Sequence, residues 1–196
     1  MANTKYRLIP EDYKEICGKK LYRIEALKDF SDVKAGDLGG YIESEDNLSH
    51  DGNAWVYDNA CVRDNACVRD NAGVGGNAWV GGNAWVYSNA WVGGNARVYG
   101  DAGVYGDARV RGNARVYGDA GWLVVGPIGS RDDFTTFFSD EDGIYVSCGC
   151  FSGDIDEFEK AVEKTHAGTK HEKDYKLAIA LAKSRIVTAE VDKDEI

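Results

Sequence analysis

From Asn53 to Val124 the sequence repeats every six residues, and this period restricts the fold more than any other feature of the chain. Twelve successive units run NAWVYD, NACVRD, NACVRD, NAGVGG, NAWVGG, NAWVYS, NAWVGG, NARVYG, DAGVYG, DARVRG, NARVYG and DAGWLV. Each begins with Asn or Asp followed by Ala; Val holds the fourth place in eleven of them and Trp122 in the last. Ala and Val are separated by one variable residue, the alternation of a short strand with one buried face. The Gly, Asp or Ser that closes a unit, followed by Asn or Asp, is corner chemistry, because these residues tolerate left-handed backbone. A strand face this short cannot form a stable hairpin. It can form one side of a coil that stacks on the next through a parallel ladder, Val over Val and Ala over Ala. Each buried Val contributes ~1.5–3 kcal/mol, opposed by the entropy of ordering its unit. The terminal coils need caps, since their edges are unpaired. The chain holds 24 Gly and only 2 Pro, as many tight corners require and as linkers and collagen do not.

An aliphatic residue followed four places later by a small one, as in Val56 with Ala60 and Val62 with Ala66, resembles the pattern of the hexapeptide-repeat family. The resemblance implies a left-handed parallel β-helix with three units per triangular coil. Twelve units then give four coils, about 19 Å of axis at ~4.8 Å spacing. The expected organisation is mainly β. An N-terminal β cap covers 1–46, a left-handed β-helix of about four to five coils covers 47–124, a C-terminal α+β domain covers 125–187 and an acidic tail covers 188–196. KYRLI and KKLYRIEAL read as short strands, and two imperfect units, YIESED and NLSHDG, start the coil. VVGPIG, FTTFF and GIYVSCGCF read as three strands. Asp154 and Glu157 form a capping pair ahead of one helix, and a second is expected over roughly 172–187, giving βββαα.

The stretch with TKYRL, VKAGDLGG, NLS and WVYD resembles YdcK-like hexapeptide-repeat proteins of bacteria, phages and prophages. The string GPIGSRDDFTTF, GIYVSCGCF, EF and TH resembles a C-terminal module of phage-encoded repeat proteins. The resemblance implies interference with a host process, such as sequestration of a small nucleotide signal of antiviral defence.

With three units per coil, residues 18 apart share a face. The first face carries Cys61, Trp79, Arg97 and Arg115, flanked by Arg63, Gly81, Tyr99 and Tyr117; the second carries Cys67, Trp85, Gly103 and Gly121, flanked by Arg69, Tyr87 and Tyr105; the third carries Trp55, Gly73, Trp91 and Arg109. Such aromatic rows are covered by neighbouring subunits or form a ligand platform. Trp55, Trp79, Trp85, Trp91, Tyr87 and Tyr105 are therefore the expected oligomer interface, in a trimer or a multiple of dimers. Tyr beside Arg stacks on a planar base and pairs with a phosphate, which makes Arg97, Tyr99, Arg115 and Tyr117 candidate ligand residues. Ser130, Arg131, Thr135 and Thr136 are a second phosphate-binding candidate, with a plain turn as the alternative.

An acyltransferase of this fold resembles its relatives in using a His general base, yet the units from Asn53 to Gly121 contain no His. His50 is the nearest candidate base, placed where a unit's Val belongs. Cys148 and Cys150 read as two same-facing residues of one strand, and no cysteine spacing suggests a metal or a cofactor. The net charge of −10 divides into a neutral repeat and acidic flanks of −3 (1–52) and −7 (122–196), a poor surface for a nucleic-acid polymer. No apolar run approaches the ~20 residues of a membrane span, and an odd count of 5 cysteines suggests a reducing, cytoplasmic setting, the host cytoplasm for a phage protein. The expected function is a non-enzymatic oligomeric binding protein for a small anionic, nucleotide-like ligand or a host factor. An acetyl-CoA-dependent acyltransferase is the alternative, and a structural protein without ligand the second.

Overall fold

The computed structural model describes residues 4–117, 121–140 and 143–186; the acidic tail expected over 188–196 lies outside them. An antiparallel hairpin, β1 (Tyr6–Ile16) and β2 (Lys19–Ala26), is followed by β3 (Leu38–Ile42), which pairs antiparallel with β2. Eleven short strands follow, β4 (Trp55–Val56) to β14 (Arg115–Tyr117), and wind into a parallel β-solenoid of about four coils. Its three faces are the ladders through Cys61, Trp79, Arg97 and Arg115, through Cys67, Trp85 and Gly103, and through Trp55, Gly73, Trp91 and Arg109. The inward Ala and Val columns are wholly buried, as the alternation predicts.

The ladder has a direction. The N–H groups of the third and fifth places bond carbonyls in the following coil, as Trp79 N donates to Ala96 O (2.9 Å) and Trp85 N to Ala102 O (2.9 Å). Corner asparagines repeat the rule with their side chains: Asn65 Nδ2 donates to Asn83 Oδ1 (3.0 Å) and Asn83 Nδ2 to Asp101 Oδ1 (2.9 Å). A carboxylate accepts but cannot donate, so Asn fills the lower rungs and Asp suits the upper ones. At the sixth place of the first coil, Asp58, Asp64 and Asp70 adopt left-handed φ of 53–61°. Their carboxylates accept the N–H of Gly76, Gly82 and Ser88 one coil on at 3.0–3.1 Å, which offsets the backbone cost.

At the N-terminal end β3 adds to the first face, Tyr41 beside Cys61 and Ile42 beside Val62, and Leu48 bridges Val68. The offset here is twenty residues instead of eighteen. The two extra residues, Asp51 and Gly52, are accommodated where Asn53 N and Ala54 N share one acceptor, Asp70 O, at 2.6 and 2.8 Å. The frame of NLSHDG is thereby corrected: Leu48, not His50, stands in the Val column.

The C-terminal end closes differently. Trp122, in the last unit, begins β15 (Trp122–Ile128), which runs antiparallel to β16 (Asp133–Asp140); β17 (Gly143–Cys148) and β18 (Phe151–Asp154) complete a four-stranded sheet. Four strands replace the expected three, because the chain reverses at Gly149, where φ is 59°, and splits GIYVSCGCF into a hairpin. Cys148 ends β17 and Cys150 lies in the turn, so they do not share a strand. Helix α1 (Ile155–His166) opens on the predicted capping box, Glu157 N donating to Asp154 Oδ1 at 2.7 Å. Helix α2 spans Lys170–Arg185, two residues earlier than expected at each end, with Thr169 as its cap. The adjacent Phe137 and Phe138 point to opposite faces of the sheet. Phe138 joins the solenoid core, and Phe137 joins Val146, Phe158, Val162 and Ile179 beneath the helices.

A candidate ligand-binding groove on the first solenoid face

The third and fifth places of each unit point outward, so the first face presents Trp79 and Arg97 beside Arg63 and Tyr99. The β1–β2 hairpin folds over the lower part of this face. Leu21 and Tyr41 bury Cys61, and Ile16 and Trp79 pack against them; burial pushes the Cys61 thiol pKa up, opposed by the Lys14 and Arg63 charges. Beyond the hairpin tip at Cys17 lies a groove of about 760 Å³, lined among others by Arg63, Asp64, Trp79, Arg97, Tyr99 and Tyr117.

Two planar elements form its wall. Tyr99 and Tyr117 stack at 5.8 Å and 24°, and the Arg97 guanidinium sits 6.0 Å from the Trp79 ring centroid. Arg63 lies 5.9 Å from the Tyr99 centroid, and its Nε sits 3.7 Å from an Asp64 carboxylate oxygen, an ion pair longer than a hydrogen bond. Burial raises the Tyr99 pKa against the pull of Arg63 and Arg97, so the phenol stays neutral. Asp64 is held ionised: burial works against it, but the Lys19 ammonium (2.7 Å), the Gly82 N–H and Arg63 outweigh burial and lower its pKa. The groove therefore offers two guanidinium groups, flat rings and a carboxylate already committed to Lys19.

Of the expected ligand residues, Arg97, Tyr99 and Tyr117 come together here. Arg115 is in register with Arg97 but does not line the groove. Ser130 and Arg131 line a separate cavity in the C-terminal region. Thr135 and Thr136 are corrected: both are buried, Thr135 Oγ1 donates to Cys148 Sγ (3.1 Å), and Thr136 Oγ1 accepts from Arg109 N (3.2 Å), so neither hydroxyl faces a ligand. His50 is corrected too, since it belongs to the cap, stacked on Tyr6 at 4.2 Å with Nδ1 accepting from Lys5 N at 3.2 Å. Among the expected interface residues, Trp55 is 1% exposed beneath Tyr6 and Phe30, so the chain's own cap covers it. Trp91 lies flat over Gly73, where any Cβ would strike its ring. Trp85 and Tyr105 stand open on the second face, 43% and 45% exposed, and Tyr87 stacks on Tyr105 at 5.1 Å. The contribution of the hairpin tip carried no signal in the sequence, because it depends on how the hairpin docks.

Over 61 residues the chain is 46% identical to a curated protein of Escherichia coli (strain K12) named uncharacterized acetyltransferase YdcK. What the chain carries is a hexapeptide-repeat solenoid. The match covers 28% of this chain and 19% of that relative, so the chain spans about a fifth of the relative's length. No protein-family model matches the chain. Among the described residues no helix is long and apolar enough to cross a membrane.

Proposed function

We propose that this chain is a binding protein whose first solenoid face holds a small anion bearing a planar ring, of nucleotide type. The observation that carries this reading is the pairing of Arg63 and Arg97 with Trp79, Tyr99 and Tyr117 around one groove. Arg63 Nε, 3.7 Å from Asp64 and outside hydrogen-bond reach of it, leaves its guanidinium available to an anionic oxygen. Rings supply stacking, guanidinium groups supply charge-assisted hydrogen bonds, and none of the three histidines lines the groove. Asp64, fixed by Lys19, is poorly suited to shuttle a proton. Release of the ligand unchanged is then the function, and the resemblance to phage-borne repeat proteins supports sequestration of a host nucleotide signal. Self-association is assigned to the second face, where Trp85 and Tyr105 are open.

The similarity to a protein named as an acetyltransferase favours one competing reading, acetyl-CoA-dependent acyl transfer. Acetyl-CoA itself carries an adenine nucleotide, so binding alone does not separate the two. Titration calorimetry with ATP and with acetyl-CoA, followed by assay of free CoA thiol over hours, does. Binding of nucleotide without thiol release, weakened tenfold or more in Arg63→Ala and in Arg97→Ala, is the expected result. Unaltered binding in both variants removes the groove as the site, and steady thiol release replaces the reading with the enzymatic one.

A further inference from the structure

A second cavity, of about 430 Å³, lies between the β17–β18 hairpin, the Gly129–Asp132 loop and the two helices. Its floor is apolar, with Phe158 and Val162 each 3% exposed, and Arg131 and Cys150 stand exposed at its mouth. Two glycines hold its polar heads in place. At Gly149 any Cβ would collide with the Arg131 guanidinium, and at Gly129 with the Tyr175 hydroxyl; both have left-handed φ, 59° and 77°.

Tyr175 carries a polar head at the cavity wall. Thr135 Oγ1 lies 3.1 Å from Cys148 Sγ, which lies 3.6 Å from the Tyr175 hydroxyl oxygen. Tyr175 is 7% exposed and lines the cavity beside Arg131. Burial, followed by the bond to Cys148, raises its pKa, so the group remains a donor. A cavity with an apolar floor and a few convergent polar groups is the usual form of a small-molecule site.

We propose that this cavity binds a small organic anion with one apolar ring, its carboxylate or phosphate head held by Arg131 and the Tyr175 hydroxyl and its ring on Phe158 and Val162. This site is independent of the groove on the solenoid. Two exposed cysteines report on the two places separately, Cys150 at the cavity and Cys17 at the groove.

The test is iodoacetamide footprinting of the full chain, read by peptide mass spectrometry, with phenyl phosphate, benzoate, inorganic phosphate or benzyl alcohol at millimolar concentration. Phenyl phosphate or benzoate should slow alkylation of Cys150 at least threefold and leave Cys17 unchanged, with the better of the two identifying the head group. Inorganic phosphate lacks the ring and benzyl alcohol the charge, so each should protect less than half as well. Arg131→Gln and Tyr175→Phe should each abolish the protection while circular dichroism and the unfolding midpoint of the Arg131→Gln chain stay at the parent's values. Protection that survives both substitutions, equal protection by benzyl alcohol, or protection of neither cysteine overturns the proposal. Protection of Cys17 alone overturns it as well and leaves the groove reading standing; ATP in the same assay should protect Cys17 and tests that reading on its own.

Discussion

The two ends of the solenoid face opposite chemical problems and are closed in opposite ways. Because the third- and fifth-place N–H groups point to the following coil and only the Val N–H points back, the first coil presents mainly carbonyls and the last mainly N–H groups. The N-terminal cap supplies donors to every face. Tyr41 N reaches Ala60 O at 2.9 Å, Asn47 Nδ2 reaches Ala66 O at 2.8 Å, and the buried Lys5 Nζ reaches Ala54 O at 2.7 Å. The C-terminal sheet supplies an acceptor, Thr136 Oγ1 for Arg109 N, and an apolar plug, Phe138. The comparison teaches that the polarity of a parallel ladder dictates the chemistry of its caps. A cationic side chain suits the carbonyl end and a hydroxyl suits the amide end.

The largest expected effect separates the plug from its neighbour. Phe138→Ala opens the solenoid end and Phe137→Ala the helix-covered core, each at about 3–5 kcal/mol. In hydrogen exchange, the first should deprotect the amides of the upper coils and the second those of α1 and α2. If both substitutions deprotect the same amides, the two cores are one cooperative unit and the distinction between the end and the region behind it fails.

The carbonyl end is next. Burial, with the Lys28 charge adding to it, lowers the Lys5 pKa to about 8, while the unfolded lysine titrates near 10.4. Between these values the unfolded chain binds the extra proton, so stability should rise with pH from about 8 towards 10, by an amount on the order of 2–3 kcal/mol. Above about pH 10 the rise is opposed by Tyr6 and Tyr57, whose pKa values burial raises above the ordinary range. Lys5→Met should flatten the rise and leave Ala54 O without its donor, at about 1–3 kcal/mol. Urea unfolding at pH 7, 8, 9 and 10 measures both; an unchanged slope in the variant means that Lys5 is not the sealing charge.

The smallest effect on stability belongs to the open face between the two ends. Trp85→Ser removes an outward ring over which Arg69 sits at 4.4 Å, at under ~1 kcal/mol, and should shift the sedimentation profile towards smaller species. An unchanged profile removes Trp85 from self-association. A loss above 2 kcal/mol means that the outward rows, and not the Val and Ala columns, hold the coils.

Much of this molecule is readable from its letters. The six-residue period assigns Val80 and Ala84 inward and Trp79 and Trp85 outward; with the three units per coil that the family resemblance implies, it aligns Arg97 with Arg115 and places Cys61 and Cys67 on different faces. It succeeds because each unit meets the same neighbours one coil away, so local order and tertiary contact share one rule. The Asp154–Glu157 box is legible for a similar reason, since capping is settled within four residues. Where the period ends, contacts between distant segments decide. Two inserted residues move Leu48 into the column assigned to His50, the docked hairpin buries Cys61 and brings Cys17 to the groove, and the closing sheet turns Thr136 into an acceptor for Arg109. The repeat by itself determined which side chains stack inside the coils and which look out; only the tertiary structure decided the direction of the ladder and which stretch of its surface became a groove, because the apolar contacts that dock the caps do not repeat.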